Sequence, residues 1–523
     1  MDSHLRISNP HLAESGFDGP AMQQSSSIAT LPTELLVAVL DQCPDIVPDG
    51  PDFQSAHFLA YARLAQVCRR WRDVLLDRPQ YWSHVVLSKP RWAEEMLLRS
   101  KTAPLTVGLN FGASSPESAT ARTMLFERFD RVKEIRIKRA LYSGDPPVFS
   151  QPAPMLERLY IRISTGYIYH FRDNVFAGGE APRLRHLSLD NCVLPKECRA
   201  LWRGLTSLEL TRIAHKANAL IHELLGFLRD NAPRLRVLTL NKVVENRHSD
   251  LTARESAKRN PIRLEELEEL TLRPGNWACT TFLQCAVLPK MRRLVLEICP
   301  GDPDERGIWE VLDGVGPGSR ICSLELRDTV LPGEDDQIAF EMRLHATELE
   351  TSVPVFTIRF VPTTVQDRRE HWREKLISAM LTHSLPPEHG QLTALTIACN
   401  DLDWAVAGLL RQHSIRNIIF YRSPSTFLSA LAAHSSLQPN SDQPPLSGLL
   451  RLAFVGIVFA HARASKTHHT PVFLDWLSHR LDEHKLEQLN FDYCTSDNGA
   501  PYPPADARPA LAELVGRLVV LEN

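Results

Sequence analysis

Three groups of residues carry side chains able to do chemistry. Cys279, Cys285 and Cys299 supply thiols, His461, His468 and His469 supply imidazoles, and Gly314-Val315-Gly316-Pro317-Gly318 has the glycine density of a phosphate-cradling loop. None has the spacing its chemistry needs. Structural zinc is held by close Cys or His pairs, and the five-residue gap between Cys279 and Cys285 fits no such pattern. The histidines read as a solvated loop. A dinucleotide loop follows a strand and opens a helix, and Pro317 removes a backbone N–H from the cradle. No Walker motif, Gly-x-Ser-x-Gly elbow or His-Glu-x-x-His stretch is present. We therefore expect no metal, no cofactor and no catalytic residues, with the cysteines serving helices and turns.

With no centre to position, the elements themselves have to carry the function. The chain has 523 residues, 43% hydrophobic and 23% charged, which are values of folded domains, and its length exceeds one ordinary core. Its 59 basic and 62 acidic residues give a net charge of −3, which argues against a nucleic-acid partner. The longest apolar run, Leu452 to Ala460, is far short of the ~20 residues of a membrane helix, and residues 1–28 hold no apolar segment of the signal-peptide kind. No membrane association is expected, and the expected location is cytoplasmic, nuclear or both.

Residues 1–29 are polar and Ser-rich and read as a disordered tail. Order begins at Thr30-Leu31-Pro32-Thr33-Glu34-Leu35-Leu36. Thr30 or Thr33 serves as N-cap, Pro32 suits a first helical turn, and Leu31, Leu35, Leu36, Val39 and Leu40 form one apolar stripe. A second helix is expected from about Ala56 to Leu76, with Leu64, Val67, Cys68, Trp71, Val74 and Leu75 at helical spacing. It is followed by Pro79-Gln80-Tyr81-Trp82 and a strand-like Val85-Val86-Leu87. So small a module usually leans on a partner for stability.

These blocks, Leu-Pro-x-Glu-Leu-Leu, then Leu-x-x-Val-Cys-Arg-Arg-Trp-Arg, then Pro-x-x-Trp, resemble the F-box family, and F-box-like modules of fungal proteins in particular. The resemblance spans about residues 30–90. It implies docking to the Skp adaptor, and through it to a cullin scaffold. The implied contact set is Leu31, Pro32, Leu35, Leu36, Val39, Leu64, Val67, Cys68 and Trp71. The connection Cys43 to Asp52 is longer and richer in Pro and Asp than is usual for the family.

Residues 91–130 read as a linker or capping segment. From Val132 one phrase returns: apolar-x-x-apolar-x-apolar, thirteen times up to Leu486, 21 to 37 residues apart, with Leu518/Leu521 a frayed fourteenth. The last two apolar positions alternate, as a strand with one buried face requires. Between phrases, Ala219–Arg229, Asp401–Arg411 and Val472–Lys485 carry helical spacing. A strand and a helix repeated at ~30 residues is the leucine-rich-repeat signature, so residues 131–523 are expected to stack into a parallel sheet backed by helices. The eighth residue after each phrase start is mostly small or polar, Cys192, Cys299 and Cys494 among them, which resembles the Cys-containing repeat subclass found behind F-boxes.

The expected fold is therefore α/β: a small all-helical F-box ahead of an irregular leucine-rich-repeat solenoid. Residues between the buried ones line its concave face. Arg136, Arg158, Tyr160 and Arg162 make a basic start and Ile419 and Tyr421 a later apolar stretch, and these are the expected contacts for a protein substrate. The expected role is a non-enzymatic substrate receptor of a cullin–RING ubiquitin ligase. The alternative is a leucine-rich scaffold acting outside any ligase.

Overall fold

The computed structural model describes residues 31–42, 61, 63–87, 90–110, 116–139, 151–163, 171, 175–176, 181–193, 201–213, 221–241, 243, 259, 261–273, 276–298, 322–330, 338–345, 354, 356–360, 392–399, 415–421, 446, 448–459, 474, 476–478, 480, 485–496 and 499–522. The expected tail, the 43–52 connection, Cys299, the 314–318 glycines, the three loop histidines and the Asp401–Arg411 stretch lie outside them.

Helices α1 (Thr33–Gln42), α2 (Arg69–Leu76), α3 (Pro90–Arg99), α4 (Pro116–Phe126), α5 (Ile221–Asn231), α6 (Asn276–Cys285) and α7 (Arg508–Leu514) accompany the strands. The first strands are β1 (His84–Val86), β2 (Leu105–Asn110), β3 (Val132–Arg139), β4 (Arg158–Ile163), β5 (His186–Asp190), β6 (Ser207–Thr211) and β7 (Val237–Asn241). Then come β8 (Ile262–Arg263), β9 (Glu269–Leu272), β10 (Ala286–Val287), β11 (Arg293–Ile298), β12 (Ser323–Val330), β13 (Ile338–His345) and β14 (Phe356–Phe360). The last are β15 (Ala394–Ala398), β16 (Asn417–Phe420), β17 (Arg451–Val455), β18 (Val458–Phe459), β19 (Gln488–Asp492), β20 (Thr495–Ser496) and β21 (Leu518–Leu521).

One large sheet of 17 strands organises the molecule. Each of the thirteen phrases falls on one of its strands, and Leu518/Leu521 falls on β21. Pairing is parallel from β1 through β2, β3, β4, β5, β6, β7 and β9 to β11; a register shift at Leu105/Thr106 interrupts β2 against β3, and from β3 onward the phrases stack without slipping. Leu159, Leu187, Leu208, Leu238, Leu270 and Leu294 form one row, and Ile161, Leu189, Leu210, Leu240, Leu272 and Leu296 the next. All are 3% exposed or less. Each such side chain contributes about 1.5–3 kcal/mol by leaving water. A one-residue slip would turn a whole strand's set outward, so the burial fixes the register.

Toward the C-terminus the second row changes from leucine to phenylalanine. Phe420, Phe454 and Phe491 stack in series with ring centroids 5.5 and 5.2 Å apart. The eighth position is buried at Cys192, Ile213, Val243, Ile457 and Cys494 and half-buried at Thr329. Burial rather than polarity governs that site. The thiols of Cys192 and Cys494 nevertheless donate to the carbonyls of Asp190 and Phe454. Helix α5 runs through the expected Ala219–Arg229 stretch and packs on α6.

The stack is not in simple chain order. After β11 comes a meander: β12 pairs antiparallel with β13, and β13 antiparallel with β14. It is β14, not β12, that extends β11 in parallel, and β12 then accepts β15. The sheet therefore reads β11, β14, β13, β12, β15 before continuing in parallel through β16, β17, β19 and β21. Strand β13 has no phrase. Two antiparallel neighbours must sandwich it, and a local apolar pattern carries no information on strand direction.

At the N-terminal end, β1 and β2 belong to the same sheet. The buried core is continuous from Leu36 to Val515. The expected second helix is interrupted: bonds from Gln66 N to Arg63 O and from Val67 N to Leu64 O tighten its end, and α2 starts afresh after Cys68, whose backbone is extended. The 3-4 rhythm of apolar residues runs through the break, which is why spacing alone does not reveal it.

Candidate protein-interaction site

Two surfaces gather the residues singled out above. The first is the α1–α2 region. Leu36 and Leu40 are buried on the inner side of α1, whereas Leu35 and Val39 point outward with 52% and 45% of their surface exposed. Val67, in the turn before α2, is 61% exposed, and Leu76 at its end 39%. Pro32 and Cys68 are exposed, and Leu31, Leu64 and Trp71 are half-buried. Of the nine expected contact residues, Leu36 alone belongs wholly to the interior.

The module is tied to the sheet by its closing block. Trp82 is buried and donates Nε1–H to Leu75 O at 2.8 Å, while the Arg99 guanidinium lies 4.4 Å over its ring. Tyr81 donates to Asp41 at the end of α1 at 2.7 Å and its ring packs, tilted by 41°, against Tyr61. Burial and this bond hold the Tyr81 phenol well above its usual range. Arg70 donates to Leu31 O, linking α2 to the start of α1. These ties hold the frame from which Leu35, Val39 and Val67 are exposed, and apolar side chains exposed on such a frame mark a partner surface.

The second surface is the polar face of the sheet, where residues between the buried ones form rows. Over β3–β6 it is charged. Glu134 is 6% exposed and pairs with Arg136 and, at 3.3 Å, with Arg158. Arg136 stands 4.8 Å over the Tyr160 ring, and burial raises the Tyr160 phenol above its usual range. Asp190, also 6% exposed, takes Arg162 at 3.3 Å and Arg212 at 2.7 Å. Burial pushes the Asp190 carboxyl up while the two arginines pull it back. Arg136, Arg158, Tyr160 and Arg162 thus form one neighbourhood with Glu134, His186 and Asp190.

The meander adds a cluster that the phrase pattern misses. Glu341 is 1% exposed and sits among Arg343 at 2.9 Å, Arg359 at 2.8 Å and Arg327 at 3.8 Å. Glu325 faces Arg343 and His345, and the hydrogen bond from His345 keeps its carboxyl below the usual range. Glu341 and Arg343 come from β13; only the alternation of charged and apolar residues in Glu341-Met342-Arg343-Leu344 hints at them.

Beyond the meander the face changes. Across β15, β16, β17, β19 and β21 one row reads Thr396, Ile419, Ala453, Asn490 and Val519. Tyr421 continues the ladder by donating its N–H to Ile397 O, and the next row is Tyr421, Val455, Asp492 and Leu521. Ile419 and Tyr421 therefore share this later stretch, far along the sheet from the arginines of β3 and β4.

Among the described residues, no three His, Cys, Asp or Glu side chains gather as a metal site would require, and no helix is long and apolar enough to cross a membrane. No curated protein matches the chain. A family model described as F-box-like matches residues 28–88, the stretch that holds α1, α2 and the Tyr81-Trp82 block; this part of the chain is an F-box-like domain.

Proposed function

We propose that the protein is a substrate receptor of a cullin–RING ubiquitin ligase, acting in the cytoplasm or nucleus. The observation that carries the proposal is the exposure of the apolar side chains Leu35, Val39 and Val67 on a domain matched as F-box-like. F-box domains typically bind the Skp adaptor, and in this reading these side chains, with Pro32 and Cys68, take that contact. The large sheet is a leucine-rich-repeat-like solenoid whose polar face offers a protein substrate its binding surface. No catalytic step is assigned to this chain. It accelerates transfer by holding the substrate near the ligase-bound conjugating enzyme, so that a bimolecular encounter becomes a local one.

Co-purification of the full-length chain with the Skp adaptor tests this. Wild-type protein should hold the adaptor, and Leu35→Asp with Val67→Asp should lose it at least tenfold without a lower melting temperature. A wild-type chain that fails to capture the adaptor sinks the proposal.

A further inference from the structure

Asp492 is an acid of the sheet with no cation paired to it among the described residues. The buried acids on the polar face, Glu134, Asp190 and Glu341, each hold two or more arginines, whereas Asp492 is half-buried. Asp492 makes no ion pair among the described residues, and its Oδ1 is shielded from solvent with no hydrogen-bond partner there. Burial alone pushes its carboxyl up, with no neighbouring cation to pull it down.

Its surroundings are those of a cation subsite. Val455 and Leu521 are its neighbours in register on β17 and β21, and Tyr421 stands one strand beyond Val455. Tyr421, Tyr493 and Leu521 are exposed by 38%, 50% and 47%. Arg451 and Arg517, described bases on this part of the face, lie four residues back from Val455 and Leu521 and so roughly 13 Å away along their strands. A carboxylate set among apolar and aromatic surface fits a cation on an apolar stem: the stem covers Val455 and Leu521, the charge meets Asp492, and tyrosine faces attract it further.

We infer that the Tyr421–Val455–Asp492–Leu521 row is a docking subsite for a lysine or arginine side chain in an apolar segment of a protein partner. This deepens the receptor reading by giving the chemistry of the segment recognised, and it rests on that reading only for calling the partner a substrate. The distinction from the first half of the face is one of sign. There the arginines already have their acids within the sheet, whereas here the acid waits for a base.

The test uses the full-length chain as bait for a random linear peptide display library. Selected peptides should carry Lys or Arg beside apolar residues, and should bind Asp492→Asn at least tenfold more weakly. Glu209→Gln, an exposed acid on β6 of the same face, should leave binding unchanged. Asp492→Lys should reject the basic peptides altogether. Circular dichroism and thermal melting of each variant exclude misfolding as the cause. Peptides without basic residues, undiminished binding to Asp492→Asn, or no selected peptides at all would overturn the inference. Adaptor capture is measured on the same preparations, so loss of adaptor binding with retained peptide binding removes the ligase role and leaves the subsite standing.

Discussion

Arg480 is 7% exposed, and burial pushes its guanidinium down to about 10, which still leaves it charged at neutral pH. It donates to Leu446 O at 3.1 Å and Leu449 O at 3.0 Å and lies 5.1 Å over the Trp476 ring, so it fastens the approach to β17 from the helical side. Arg480→Met keeps most of the stem but leaves both carbonyls without this donor, at a cost of about 1–3 kcal/mol each. Urea unfolding should show a clearly lower midpoint, and an unchanged one would contradict this role. Asp492 has the opposite balance. Its folded-state pKa lies above the unfolded value, so the native state keeps the proton over the window between the two. Stability falls as pH rises through that window and stays lower above it. Asp492→Asn should therefore melt higher than wild type at pH 7, with the gap closing in acid; equal melting at pH 7 would show that the carboxylate is not strained. A residue that weakens the fold yet sits on a partner-facing row is what binding function, rather than stability, would retain.

At the scale of elements, the strands were legible because their signal is local. Two apolar residues in alternation, set behind a third, mark every phrase, and burial of those residues fixes face and register together. The meander was not legible. Ile338–His345 does alternate, with Phe340, Met342 and Leu344 on one face and Glu341 and Arg343 on the other, but it lacks the large leading apolar residue that marks the phrase in the other strands. Its direction depends on partners eight to about twenty residues away on either side. The same limit applies to the F-box-like domain: the apolar stripe of α1 was readable, but which leucine faces inward depends on what packs beneath, and the structure separates Leu36 from Leu35. Glycine 516 shows an element joined by close approach. Its N–H donates to Leu486 O at 2.8 Å, and a Cβ there would lie 2.8 Å from Glu487 O, so the backbone entering β21 can come this near only without a side chain. Gly516→Ala should loosen β21 from β19, seen as faster hydrogen exchange at Leu518–Leu521 while β4–β7 keep their protection. Uniformly unchanged exchange would refute it.

On the scale of the whole molecule, the meander is the bridge between two parallel blocks, β1–β11 and β15–β21, among the described strands. Glu341 gathers arginines from β12, β13 and β14 at its centre. Removing one member of a buried ion network leaves the others uncompensated, at roughly 3–5 kcal/mol. Glu341→Gln should lower stability by about that amount. Because the damage falls on the bridge, calorimetry should resolve a single transition into two; a single transition at the wild-type temperature would show that the blocks are joined by other means.

The reversed order β11, β14, β13, β12, β15 also has a consequence for how the chain is made. During synthesis each parallel strand up to β11 emerges beside a finished edge and can add to it at once. Strand β12 emerges with no such edge to join, because its place lies three positions out. Only when β13 and β14 have followed can the three fold on one another and seat β14 against β11, and only then does β12 offer β15 an edge. Assembly from the ribosome thus runs continuously to β11, halts until residue 360 has emerged, and resumes from a strand made earlier.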